Sequence, residues 1–124
     1  MKNTLTLTRP TTPLEREIVR LTIEVDNKSK LLPNYQVLID QLMVVSHCDC
    51  GCDSVDFVGL SERSVSRQIA NAIGTTRLGG KVGIIVWGNP QKITGLEVYD
   101  LGAGDGDIKL PVPSSVQSFS SGAA

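Results

Sequence analysis

The chain has 124 residues, 40% hydrophobic and 20% charged, with a formal net charge of −1. This length and composition are typical of a single globular domain, and they exclude a chain that is disordered throughout. The near-neutral charge disfavours nucleic-acid binding, and the longest apolar run, Val82 to Trp87, is too short to cross a bilayer. No apolar run follows Met1, and the three cysteines are an odd number. We therefore expect a cytoplasmic protein with reduced thiols and with neither nucleic acid nor membrane as a partner.

The first 26 residues contain one ambiguous segment and one clear helix. Residues 1–10 alternate Thr with Leu in part, which fits either a short edge strand or a loose arm. Next, Thr12, Pro13 and Glu15 form the pattern of a capping box, with Thr12 as the N-cap. Four apolar residues recur at helical spacing: Leu14, Ile18, Leu21 and Val25. The pattern predicts an amphipathic helix from about Pro13 to Asp26 whose charged side chains face solvent.

A shorter second helix is predicted from Pro33, and the residues after it predict β-structure. Residues 43–47 are rich in β-branched side chains and residues 54–60 alternate, so the two runs predict a β-hairpin. Residues 65–76 fit either a helix or a strand. The turn signal at 78–80 and the apolar run 81–87 favour a hairpin of 68–76 with 81–87. A further strand is predicted for Ile93 to Leu101.

These elements predict an α+β fold. We expect two N-terminal helices packed on one face of an antiparallel meander of four or five strands. The globular domain is expected to span residues 1–113, and the Ser- and Ala-rich residues 114–124 are expected to form a flexible C-terminal tail.

Three short motifs between residues 48 and 111 resemble those of a family of small uncharacterised bacterial proteins. The first is Cys48-Asp49-Cys50-Gly51-Cys52, followed by Ser54-Val55-Asp56. The others are Leu96-Glu97-Val98-Tyr99 and the downstream Leu110-Pro111. The resemblance covers roughly residues 40–113; Asp53 departs from the pattern, in which Pro is frequent at that position. It implies a domain type and supports the meander, but it implies no activity.

All three cysteines and the only histidine lie within six residues, at His47, Cys48, Cys50 and Cys52. Thiolates and imidazole are zinc ligands, so these four residues are a candidate zinc site. Single-residue spacing is poor for one metal, because a regular strand separates alternate side chains by about 6–7 Å and turns His47 to the opposite face. A zinc site therefore requires a sharp bend at Gly51. Reactive thiol chemistry and a purely structural role for buried cysteines are the alternatives.

Other candidate sites are weaker. Asp100, Asp105 and Asp107 lie among glycines, but the spacing of a calcium-binding loop is missing, so a solvated turn is expected. Trp87 ends the apolar strand and is expected to lie in the core.

The preferred functional hypothesis is a small non-catalytic protein of bacterial or phage origin that recognises a protein partner. Such a protein would be immunity-, antitoxin- or inhibitor-like, an analogy that rests on size and class alone. The alternatives are a zinc-binding structural module and a thiol-dependent enzyme that uses the Cys48–Cys52 cluster.

Overall fold

The computed structural model describes residues 4–48, 52–59, 66–102 and 108–119. Seven strands form one antiparallel sheet in the order β1-β2-β3-β6-β5-β4-β7. The strands are β1 (Thr4–Pro10), β2 (Met43–Cys48), β3 (Val55–Asp56), β4 (Arg67–Thr75), β5 (Lys81–Asn89), β6 (Lys92–Asp100) and β7 (Gln117–Ser118). The helices are α1 (Pro13–Val25) and α2 (Tyr35–Asp40), and a 3₁₀ turn covers Pro113–Ser115. None of the described helices is both long and apolar enough to span a bilayer.

The predicted first helix and its capping box are confirmed. The Thr12 hydroxyl accepts the Glu15 backbone N–H at 3.0 Å, and the Glu15 carboxylate accepts the Thr12 N–H at 2.9 Å. The Glu15 carboxylate also accepts hydrogen bonds from both terminal nitrogens of the Arg9 guanidinium, at 2.8 and 3.0 Å. Burial raises the pKa of Glu15, but these hydrogen bonds outweigh it, so the pKa lies below its ordinary value. Strand β1 and helix α1 are thereby joined through one buried carboxylate.

The buried side of α1 differs from the predicted apolar face. Leu14 is 40% exposed, whereas five other residues turn inward: Glu15, Ile18, Val19, Thr22 and Ile23. Thr22 is accommodated because its hydroxyl donates to the Ile18 carbonyl oxygen at 2.7 Å. Relative to the prediction, the helix is rotated about its axis so that its buried face includes two polar residues, Glu15 and Thr22. Each of them has a hydrogen-bond partner within the protein.

Strands β4, β5 and β6 form two consecutive hairpins. The predicted pairing of 68–76 with 81–87 is confirmed, since β4 pairs with β5 from Arg67↔Gly88 to Thr75↔Lys81. On the face toward the core, β4 carries the small buried residues Ala70 and Ala72, and this strand contacts α1. At the other end, Asp26 follows α1 and accepts the Asn71 backbone N–H at 2.9 Å.

The predicted α+β architecture of two N-terminal helices on a four- to five-stranded meander is wrong. A seven-residue strand, β1, precedes both helices and pairs with β2. In addition, β3 has only two residues and pairs with β6 instead of β4, so the order does not follow the chain. The physical reason is that alternating hydrophobicity assigns side chains to faces but does not select a strand's partner.

The segment after β6 crosses back to β4. Val112 N–H donates to the Thr75 carbonyl oxygen at 2.9 Å, and the Ser115 hydroxyl accepts the Thr75 N–H at 2.9 Å. Strand β7 then pairs with Ala72 and Ile73 of β4. Residues 113–118 thus contact the sheet, whereas the flexible tail predicted from the sequence begins at residue 114. Residues 120–124 of that tail lie outside the described residues.

The two faces of the β4–β6 region differ in what covers them. The core face carries Ala70, Val82, Ile84, Val86, Leu96 and Val98, which join the hydrophobic core with α1. By strand alternation the opposite face, here called the Trp87 face, carries Asn71, Ile85, Trp87, Gly95, Glu97 and Tyr99. Neither described helix packs on the Trp87 face.

Candidate binding pocket on the Trp87 face

A cavity of about 510 Å³ opens on the Trp87 face. Strands β2, β3, β5 and β6 all contribute to its lining, together with the flanking residues Cys52, Ser54 and Ser66. Its volume lies within the range of about 300–1,000 Å³ that is typical of ligand pockets. The cavity therefore has room for a small ligand or for an anchoring side chain.

Trp87 and Glu97 form the central polar contact of this pocket. Both side chains are half-buried, and the indole Nε1–H donates to Glu97 Oε1 at 2.9 Å. Gly95 lies directly opposite Trp87 in the β5–β6 register, so no side chain separates the indole from the pocket at that position. The Trp87 indole is thus fixed at one end by a carboxylate.

Hydroxyl groups hold the neighbouring polar side chains in place. Ser46 donates to Asp56 Oδ2 at 2.8 Å across the β2–β3 pair. The Ser54 hydroxyl accepts the Val98 N–H at 3.0 Å, and Ser66 shares a hydrogen bond with buried Thr94. The lining is therefore built on strand ladders and their side-chain hydrogen bonds, which favours a preformed shape.

The structure brings two of the four predicted zinc ligands to this pocket. Cys48, the last residue of β2, and Cys52 are half-buried and both line it. His47 does not line it; its Nδ1 lies 3.0 Å from the Cys48 carbonyl oxygen. Cys50 and Gly51, where the metal interpretation requires a bend, lie outside the described residues.

Within 4–48, 52–59, 66–102 and 108–119, no group of three or more His, Cys, Asp or Glu side chains is placed to hold a metal ion. The zinc site of His47, Cys48, Cys50 and Cys52 therefore stays a prediction. Thiol catalysis assisted by His47 gains no support from its position, because adjacent residues of a strand point to opposite faces.

The prediction that Trp87 lies in the core is wrong. Trp87 is half-buried and is not part of the core cluster. The signal was present in the sequence: alternation along 81–87 places Val82, Ile84 and Val86 on one face and Trp87 on the other. The carboxylates Asp56 and Glu97 were missed because nothing local in the sequence brings two separate strands together.

The predicted turn at Asp100 is partly visible. Asp100 Oδ1 accepts the Gly102 backbone N–H at 3.0 Å, as in a turn stabilised by an aspartate. Residues 103–107, including Asp105 and Asp107, lie outside the described residues.

Comparisons with protein-family models, with curated proteins and with solved structures found no match for this chain. The resemblance to small bacterial proteins therefore stays a prediction, and these comparisons give no relative from which a function could be inferred.

Proposed function

We propose that the protein is a small, non-catalytic, cytoplasmic binding protein that recognises a protein partner through the Trp87 face. The observation that supports this proposal most is the cavity on a sheet face against which no described helix packs. An immunity-, antitoxin- or inhibitor-like role fits the small size and near-neutral charge, at the level of class only. The cytoplasmic location is proposed from the odd number of cysteines.

The composition of the pocket supports a protein partner. Trp and Tyr are enriched at the centres of protein interfaces, where they combine apolar area with a hydrogen-bonding group. Trp87 has this environment, and Tyr99 lies two residues beyond Glu97 on the same face, with its ring against Gly83. Recognition by such a face depends on a rigid sheet that holds its aromatic side chains ready for contact.

Filling the pocket provides the test. A Cβ added at Gly95 would lie 3.5 Å from the Val55 carbonyl oxygen and 3.8 Å from the Trp87 Cβ, which are ordinary contacts. Gly95→Gln should therefore fold normally while placing a side chain in the pocket. We expect a partner captured by the wild-type protein from its native lysate, measured by quantitative mass spectrometry, to be lost with Gly95→Gln.

A substitution on the helix side is the matched control. Val37 on α2 is 56% exposed, so Val37→Gln changes a surface apolar residue remote from the Trp87 face. The same partner should be retained by Val37→Gln. Equal capture by wild type, Gly95→Gln and Val37→Gln, or the absence of any partner specific to the wild type, would contradict the proposal.

A further inference from the structure

The charged residues that line the pocket indicate which type of side chain of a partner it binds. Two of its lining residues, Asp56 and Glu97, are carboxylates, and no Lys, Arg or His is among the described residues that line it. The protein as a whole is nearly neutral, with 12 basic and 13 acidic residues. The part of the lining that the structure describes is therefore acidic, whereas the protein as a whole is close to neutral.

Glu97 is bound to the Trp87 indole through only one of its two carboxylate oxygens. Its Oε1 accepts the Trp87 Nε1–H at 2.9 Å, and Oε2 receives no hydrogen bond from the residues that the structure describes. This leaves a carboxylate oxygen next to the indole ring, with both side chains half-buried. Partial burial reduces the screening of a charge by water.

We infer that the pocket accepts a basic side chain, arginine in the first place, from the protein partner; this rests on the proposed role of the Trp87 face. A guanidinium group is planar, stacks on aromatic rings and hydrogen-bonds carboxylates. Trp87 offers the ring and Glu97 the carboxylate, and the two are already joined. The cavity of about 510 Å³ is large enough for the side chain of arginine.

The protein contains one tryptophan, so its intrinsic fluorescence reports on this pocket directly. The probe is the tripeptide acetyl-Gly-Arg-Gly-amide, titrated to about 20 mM because one side chain is expected to bind in the millimolar range. We expect a saturable change in Trp87 fluorescence that weakens with added salt. The peptide with citrulline in place of arginine has nearly the same shape without the charge, and it should give no saturable change.

Two variants of the intact chain identify the carboxylate. Glu97→Gln keeps an oxygen that can accept the indole N–H but removes the charge, so affinity for the arginine peptide should fall about fivefold or more. Asp40→Asn removes one exposed charge at the end of α2 and should leave the affinity unchanged.

The inference is overturned if citrulline binds as well as arginine, if arginine gives no saturable change, or if Glu97→Gln binds as tightly as wild type. In each of these cases a partner that is lost with Gly95→Gln would still support the proposed function, so the two failures are distinguishable. Conversely, if the protein binds the arginine peptide but captures no partner, the proposed function fails while the pocket's preference for arginine stands.

Discussion

At the scale of single residues, Glu15 connects helix α1 to strand β1. It closes the capping box of α1, receives the guanidinium of Arg9 from β1 and is only 6% exposed. Its side chain is 7% exposed and that of Arg9 is 33% exposed, so the ion pair is shielded from solvent on the helix side. A buried carboxylate of this kind is stabilising only while it keeps its partners.

The lowered pKa of Glu15 predicts a pH dependence of stability. Its pKa in the folded state lies below the ordinary value of 4.5. Its stabilisation is therefore fully present above that value and is lost as the pH falls through the lower folded-state pKa. Glu15→Gln should reduce the free energy of unfolding by about 1–2 kcal/mol at neutral pH, and by less in acid. Urea unfolding at several pH values measures both effects.

Glu17→Gln is the matched control for this change. Glu17 is on the same helix and pairs with Arg20 at 2.9 Å, but the two side chains are 44% and 37% exposed. Exposed pairs of this kind contribute little, so Glu17→Gln should alter stability by less than about 0.5 kcal/mol at every pH. Equal pH profiles for the two variants would show that the Arg9–Glu15 contact does not stabilise the fold.

The capping residues could be predicted from the sequence because their partners are three residues apart. The burial of Glu15 could not be predicted, since it depends on Arg9 of a strand that was itself ambiguous. Trp87 lies between these cases. Its face was available from alternation along β5, but the carboxylate that orients it comes from another strand.

At the scale of elements, the β5–β6 hairpin depends on Gly88. The register shifts next to this residue, which pairs with Ile93. A Cβ at Gly88 would overlap the Lys92 carbonyl oxygen and would lie 3.1 Å from Ile93 Cα. Both of these are backbone atoms, so the steric clash can be removed only if the backbone of the hairpin moves.

We therefore predict that Gly88→Ala destabilises the protein by about 1–3 kcal/mol, as overpacking commonly does. Gly95→Ala is the control on the same hairpin, because the nearest atom to its added Cβ is at 3.5 Å. It should leave stability nearly unchanged or raise it slightly, since alanine restricts the unfolded chain. The midpoints of urea unfolding compare the two, and similar midpoints would contradict the overlap at Gly88.

Elements with local partners could largely be predicted, whereas short or remote ones could not. The hairpin of β4 with β5 followed from a turn signal and an apolar run that are adjacent in the sequence. The predicted pairing of β2 with β3 is confirmed, through Ser46↔Asp56 and His47↔Val55. The two-residue length of β3 and its second neighbour, β6, could not be predicted from residues 54–60.

At the scale of the whole molecule, the segment after β6 fastens the sheet beside β4. Truncation at residue 113 removes Ser115, whose hydroxyl meets both backbone groups of Thr75 at 2.9 and 3.1 Å. It also removes β7 and its pairing with Ala72 and Ile73. We expect the chain 1–113 to lose roughly 2–3 kcal/mol relative to 1–119, at about 1 kcal/mol for each hydrogen bond.

Thermal and urea unfolding of the two truncated chains and the full chain measure this loss. The chain 1–119 should match the full chain, because every described contact of this segment is kept. If 1–113 is as stable as 1–119, the contacts to β4 contribute nothing, and the domain ends where the sequence predicted.

Strands β1 and β7 occupy the two ends of the strand order, with five strands between them. Neighbouring strands are about 4.8 Å apart, so the two are separated by roughly 29 Å across the sheet. A circular permutant that joins β7 to β1 therefore needs a connecting peptide of about nine extended residues or more. A shorter connection would force one of the two to leave the sheet, and β7, with two residues against seven, would be the one to detach.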